Sequence, residues 1–125
     1  MARLSRAIQK MTFKYFTLDE FACKHTGENE ISESFVRRLD ELRAVCGFPF
    51  VITSGYRDSA HPVEARKSKG GVHTQGIAAD IAVSNGVERA TIIRNAIELG
   101  FNGIGVAKGF IHVDTRDLPQ VVWTY

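Results

Sequence analysis

Between Ile77 and Val83 every position is apolar except one, Asp80. A short run this rich in aliphatic residues reads as a buried strand, and a carboxylate inside one is costly unless it is paired or bound to a cation. Whatever fold the chain adopts must therefore bring positive charge to Asp80. Two readings meet that demand: an ion pair with Arg57 or Arg116, or a bound metal.

Two histidines bear on the choice. His73 lies in the glycine-rich stretch Gly70-Gly71-Val72-His73, where a single His is ordinarily an exposed loop residue, and His112 lies within the apolar run Phe110-Ile111-His112-Val113. There it is either a satisfied core His or a ligand. Neutral imidazoles and a carboxylate are good ligands for Zn²⁺, and three protein ligands leave a fourth position for water, which separates a catalytic zinc from a closed structural one. His73, Asp80 and His112 together, each within or at the end of a strand, shift the balance toward a metal.

The rest of the chain reads as scaffold. Its 125 residues, 44% hydrophobic and 24% charged, are those of one soluble globular domain spanning 1–125, with no linker or repeat. Residues 1–15 show no period and read as an N-terminal arm. A net charge of +2 is too small to argue for nucleic acid. Arg3, Arg6, Lys10 and Lys14 are followed by no apolar run, so neither a signal peptide nor a membrane span is expected, and synthesis in the cytoplasm is. Cys23 and Cys46 read as core thiols; Cys23-Lys24-His25 resembles half of a metal site but has no second half at ligand spacing.

Thr17-Leu18-Asp19-Glu20 has the form of a capping box opening a short helix to about Cys23. Ser32 is an N-cap for a helix with core positions Phe35, Val36, Leu39, Leu42, Val45 and Cys46, ended by Gly47. Phe50 to Thr53 reads as a buried strand delivering Ser54 to Arg57 to its end; a short polar helix starts at His61-Pro62, and 67–71 is a flexible loop. Ser84-Asn85-Gly86 opens a second long helix with a core stripe of Val87, Ala90, Ile93, Ala96 and Ile97, closed by Gly100. Ile104 to Ala107 and Phe110 to Val113, joined by Lys108-Gly109, form a hairpin, and Val121 to Trp123 an edge strand. The order predicts an α+β domain, an antiparallel sheet flanked by helices.

Ser54-Gly55-Tyr56-Arg57, the run His73-x-x-Gly76-x-Ala78-x-Asp80-Ile81, and Gly103-Ile104-Gly105 followed by Phe110-Ile111-His112-Val113-Asp114 resemble the zinc D-Ala-D-Ala carboxypeptidase family, which includes phage endolysins and other peptidoglycan peptidases. The resemblance covers about residues 16–116, including Phe16 to Cys23. It implies a Hedgehog/D,D-peptidase-like fold, zinc held by His73, Asp80 and His112, and Arg57 meeting the substrate. It further implies a monomeric zinc metallopeptidase acting on peptidoglycan stem peptides or cross-links, as a phage or prophage lytic enzyme working at the cell wall after release. A D-Ala-trimming carboxypeptidase and a non-catalytic zinc or cell-wall binding module are the alternatives. Where several branches of the family place a glutamate base three residues before the second ligand His, this chain has Gly109, and where many carry Ser two residues before the first, it has Gly71. Asp114 shares a strand face with His112 and is the candidate either for the base or for a partner that orients His112.

Overall fold

The computed structural model describes residues 13–61 and 71–125. Side chains alternate across a strand, and that alternation sorts a five-stranded sheet into two unlike faces. The strands are β1 (Ile52–Ser54), β2 (Ala78–Ala82), β3 (Gly103–Val106), β4 (Phe110–Asp114) and β5 (Val121–Thr124), in the order β1-β2-β4-β3-β5. Ala79, Ile81, Ile104, Ile111 and Val113 belong to the apolar core, whereas Asp80, His112 and Asp114 occupy the intervening positions. One face is therefore scaffold and the other carries the polar groups.

Two long helices cover the scaffold face: α1 (Glu33–Cys46) and α2 (Gly86–Glu98). α1 starts where the Ser32 side chain accepts the Phe35 amide at 3.2 Å and stops at Gly47, whose φ of 80° is the left-handed conformation that closes a helix. It buries Phe35, Val36, Leu39 and Leu42, each contributing roughly 1.5–3 kcal/mol of hydrophobic free energy. Val45, expected in that stripe, is exposed, and Cys46 is half-buried. Before α1, the Glu20 carboxylate reaches back to the Thr17 amide at 2.7 Å and holds a short 3₁₀ turn, Leu18–Phe21. Phe21 is buried, but the turn stops short of Cys23.

α2 departs from the expected stripe. Ile92 and Ala96 are its buried residues, Ile93 packs at the margin of the core, and Val87 is 77% exposed with Ala90 and Ile97 also outside. The apolar residues of this helix spread around a wide arc, and the partner selects among them: Asn95 Nδ2 and the Thr91 carbonyl both meet Cys46 Sγ of α1 at 3.8 Å, which turns the Ile92 side inward. Asn85 caps α2 by accepting from the Glu88 amide at 2.8 Å.

The two central pairings and β1–β2 are antiparallel, as expected, and Lys108-Gly109 does join β3 to β4. β5 is the difference: it lies parallel to β3, making the sheet mixed. β4 ends with Asp114 opposite Gly103, and after 115–120 the chain re-enters the sheet with Val121 beside the same Gly103, so it must run in the direction of β3. In the strand predicted from Phe50, sheet pairing starts only at Ile52, with a register shift between Ile52 and Ser54, and Val51 is 63% exposed. The short helix expected from Pro62 and the 67–70 part of the flexible loop lie outside the described residues, as does the arm up to residue 12. Cys23 and Cys46 are free thiols, the first buried. Among the described residues no helix is long and apolar enough to cross a membrane.

Candidate metal centre and active site

Register places one row of residues straight across the sheet. Ser54 of β1 pairs with Asp80 of β2, Asp80 with His112 of β4, His112 with Gly105 of β3, and Gly105 with Trp123 of β5. All project from the face opposite the helices. His73 is brought to the same point by a loop. The Arg57 amide donates to the His73 carbonyl at 3.1 Å, and His73 Nδ1 lies 2.8 Å from the Gly55 carbonyl. The Gly55 to Arg57 segment is itself anchored, because the Tyr56 amide donates to Phe21 O at 2.7 Å and the Tyr56 hydroxyl to Glu30 at 2.8 Å. Gly55 allows this approach: a Cβ there would stand 2.7 Å from the Phe21 backbone. Gly76 ends the loop at φ +73°, packed on the Glu30 backbone.

His73, Asp80 and His112 are all buried, and one ligand atom from each falls within 4.8 Å of the others. Asp80 Oδ1 is the shared corner, 3.0 Å from His112 Nδ1 and 3.4 Å from His73 Nε2. The two rings meet edge to face with centroids 5.0 Å apart. Asp80 Oδ2 faces Arg57 Nη2 at 3.6 Å, and Arg57 Nε donates to Ser54 Oγ at 3.2 Å. Burial works against ionising Asp80, but His112 and His73 outweigh it and hold the carboxyl well below its usual range. Burial likewise works to lower the His112 pKa, and Asp114 and Asp80 together raise it.

The outward contacts of the two rings test whether this donor set suits a metal. A carbonyl only accepts, so His73 Nδ1 carries its proton toward Gly55. Nε2 is the inner nitrogen, turned toward Asp80 Oδ1. His112 repeats the pattern, with Nε2 2.7 Å from Asp114 Oδ2 and Nδ1 turned to Asp80. Two imidazoles with outer nitrogens held by acceptors and inner nitrogens converging on a carboxylate have the arrangement of a cation site, in which a bound cation would take both inner nitrogens and the carboxylate. The set fits zinc, which takes imidazole nitrogen and carboxylate oxygen together.

Asp114 shares the His112 face, as its spacing required, but has no exposed surface. Arg116 grips it through Nε at 2.9 Å and Nη2 at 2.7 Å, and the Arg116 amide adds a bond at 3.0 Å. Burial opposes the ionisation of Asp114, and His112 and Arg116 overcome it, keeping the carboxylate charged well below the usual range. Arg116, a possible partner of Asp80 on sequence grounds, is thus committed to Asp114. Gly103 makes room for this carboxylate, since a Cβ there would fall on it.

The cleft above the row has a volume of about 590 Å³ and is lined by Arg57, His73, Asp80 and His112 together with Phe110, Arg116, Trp123 and Tyr125. Of these, Trp123 and Tyr125 were not recognised in the sequence as part of a site. Their signal was present: two glycines at alternate positions of one strand, Gly103 and Gly105, mark a close approach, and Trp123 and Tyr125 stand at alternate positions of the next. Gly109, in the place of the family's glutamate, sits exposed in the β3–β4 turn. Cys23 and His25 join no cluster of metal-ligating groups among the described residues.

Residues 14–114 match the Peptidase M15 family. The chain belongs to that family. It is a family of zinc-dependent peptidases acting on peptidoglycan, and the match agrees with the resemblance carried by the Ser-Gly-Tyr-Arg, His-to-Asp and His-x-Asp motifs. No curated protein matches the chain. Within this M15 member the motifs have distinct places: Ser54 to Arg57 buttresses the His73 loop, Gly103 and Gly105 clear space, and Asp114 lies in hydrogen-bond contact with the outer nitrogen of His112.

Proposed function

We propose that this chain is a zinc-dependent peptidase that hydrolyses the peptide stems or cross-links of bacterial peptidoglycan, as a phage or prophage lytic enzyme acting at the cell wall after release from the cytoplasm. The observation that carries the reading is the convergence of the inner nitrogens of His73 and His112 on Asp80, with both outer nitrogens already held by Gly55 and Asp114. In this reading His73 Nε2, Asp80 and His112 Nδ1 hold the metal. Zinc bound there supplies Lewis-acid polarisation of a carbonyl and activation of water near neutral pH.

The protein groups divide the remaining work. Arg57 reaches the cleft from beside Asp80, with a planar fork suited to a substrate carboxylate or a developing oxyanion. Asp114 keeps the His112 ring in one tautomer and one orientation; its burial behind that ring favours this role over that of general base. Among the described residues lining the cleft the only carboxylate is Asp80, so the non-catalytic zinc module stays a defined competitor.

Incubation of purified protein with defined muropeptides, with and without chelator, tests the proposal alongside elemental analysis. The expected result is one zinc per chain and hydrolysis that stops on chelation and returns with zinc. Fragment masses distinguish an endopeptidase from a carboxypeptidase releasing terminal D-Ala. Zinc-loaded protein that binds peptidoglycan and never cleaves it would establish the binding module instead.

A further inference from the structure

β5 brings two aromatic residues to the cleft. Trp123 lies over Gly105, where a Cβ would stand 2.8 Å from the indole, and its ring is 5.2 Å from His112 and 4.8 Å from the Arg116 guanidinium. Two residues on, Tyr125 is held by its amide on the Val106 carbonyl at 3.3 Å, with its ring 5.2 Å from Phe110 and 6.4 Å from Trp123. It lines the same cleft as Arg57, yet is 70% exposed and so open to a substrate.

The groups lining that cleft are unequal in what they can offer. Asp80 belongs to the three-ligand cluster, and Arg116 is locked to Asp114. The hydroxyl of Tyr125 is the only one on an aromatic ring among the described lining residues. A phenol is protonated at neutral pH, and desolvation of the covered part of the side chain pushes this one further up, with the Trp123 indole N–H pulling partly the other way. Tyr125 is therefore a hydrogen-bond donor and not a base.

We propose that Tyr125 is a substrate-contacting catalytic residue: its hydroxyl, in the cleft that Arg57 also lines, donates a hydrogen bond to the carbonyl oxygen under attack, where negative charge develops. This rests on the peptidase reading above. No proton is transferred; the O–H stays with the phenol, and the bond strengthens as the oxygen gains charge. The Trp123 and Phe110 rings hold the phenol in place, and Gly105 is what lets Trp123 lie close enough to do so.

The test compares zinc-loaded wild type, Tyr125→Phe and Tyr125→Ala on one muropeptide, with zinc content, kcat, KM and affinity for a phosphinate mimic of the tetrahedral adduct. Tyr125→Phe should keep zinc and KM, lose roughly 10²- to 10³-fold in kcat, the loss typical of one oxyanion donor, and bind the phosphinate more weakly by a similar factor. Tyr125→Ala should in addition raise KM. Wild-type kcat and phosphinate affinity in Tyr125→Phe, or a loss confined to KM, would overturn the assignment while leaving the peptidase reading intact. A zinc-loaded wild type without turnover would overturn both.

Discussion

His112 and Asp114, two residues apart on β4, are joined by a 2.7 Å contact between Nε2 and Oδ2. That contact determines which nitrogen of His112 faces the cluster, leaving Nδ1 for Asp80, and Arg116 in turn locks the carboxylate. Replacing Asp114 by Asn should lower zinc affinity about 10- to 100-fold, the usual cost of losing an outer partner, with activity restored at high zinc. Zinc titration of the variant checks this; wild-type affinity with a kcat loss of about 10²- to 10⁴-fold would restore the general-base assignment.

Gly103 leaves the space that the Asp114 carboxylate fills. Gly103→Ala should destabilise the fold by about 1–3 kcal/mol through overpacking and weaken zinc binding as Asp114 shifts. Gly86 at the start of α2 is the control, because a Cβ there meets nothing within 4 Å. Urea denaturation of both variants gives the comparison, and equal midpoints would show that Asp114 adapts freely.

Arg57 donates to Ser54 through Nε and faces Asp80 through Nη2. If its fork also engages substrate, Arg57→Lys should retain the fold and zinc but lose about 10- to 100-fold in kcat/KM, matching a charge-assisted bond of about 1.5–3 kcal/mol that a point charge cannot reproduce. Unchanged kcat/KM would remove Arg57 from substrate recognition.

If His73, Asp80 and His112 hold one metal, they act as one unit. His73→Ala should abolish tight zinc binding, because it leaves two ligands where three converge. Isothermal titration with zinc measures this, and a stoichiometry of one at wild-type affinity would exclude His73 from the site.

Tyr56 provides a pH signature. Burial first, and its hydrogen bond to Glu30 second, push its phenol up to about 12 from the ordinary 10.0. A folded-state pKa raised in this way contributes stability fully present below pH 10 and lost as pH rises through about 12. Tyr56→Phe should cost about 0.5–1.5 kcal/mol at neutral pH through the lost bond, and the gap from wild type should close above pH 10. Urea midpoints along an alkaline series would show it; a pH-independent gap would mean that ionisation of Tyr56 is not what couples stability to pH there.

Local chemistry was enough to locate much of this protein from its sequence. Ser32 and Gly47 bound α1 because side-chain capping and left-handed closure act within a few residues, and the aliphatic run around Asp80 marked a buried strand whose charge needed partners. The spacing of two along β4 placed Asp114 on the face of His112. What periodicity left open was identity at long range. A broad apolar arc on α2 did not reveal that Ile92 and not Val87 would turn inward, because α1 makes that choice. Nor did a single valine-rich strand reveal that β5 would run parallel to β3 and set Trp123 and Tyr125 on the cleft. Arg116 was a candidate partner of Asp80 in sequence, and the structure gives it to Asp114 two residues away, while the sheet register puts Asp80 against His112. Sequence acts through neighbours a few residues apart and so determined elements, caps and candidate ligands; which candidates meet, and through which atoms, depended on strands brought together from distant parts of the chain.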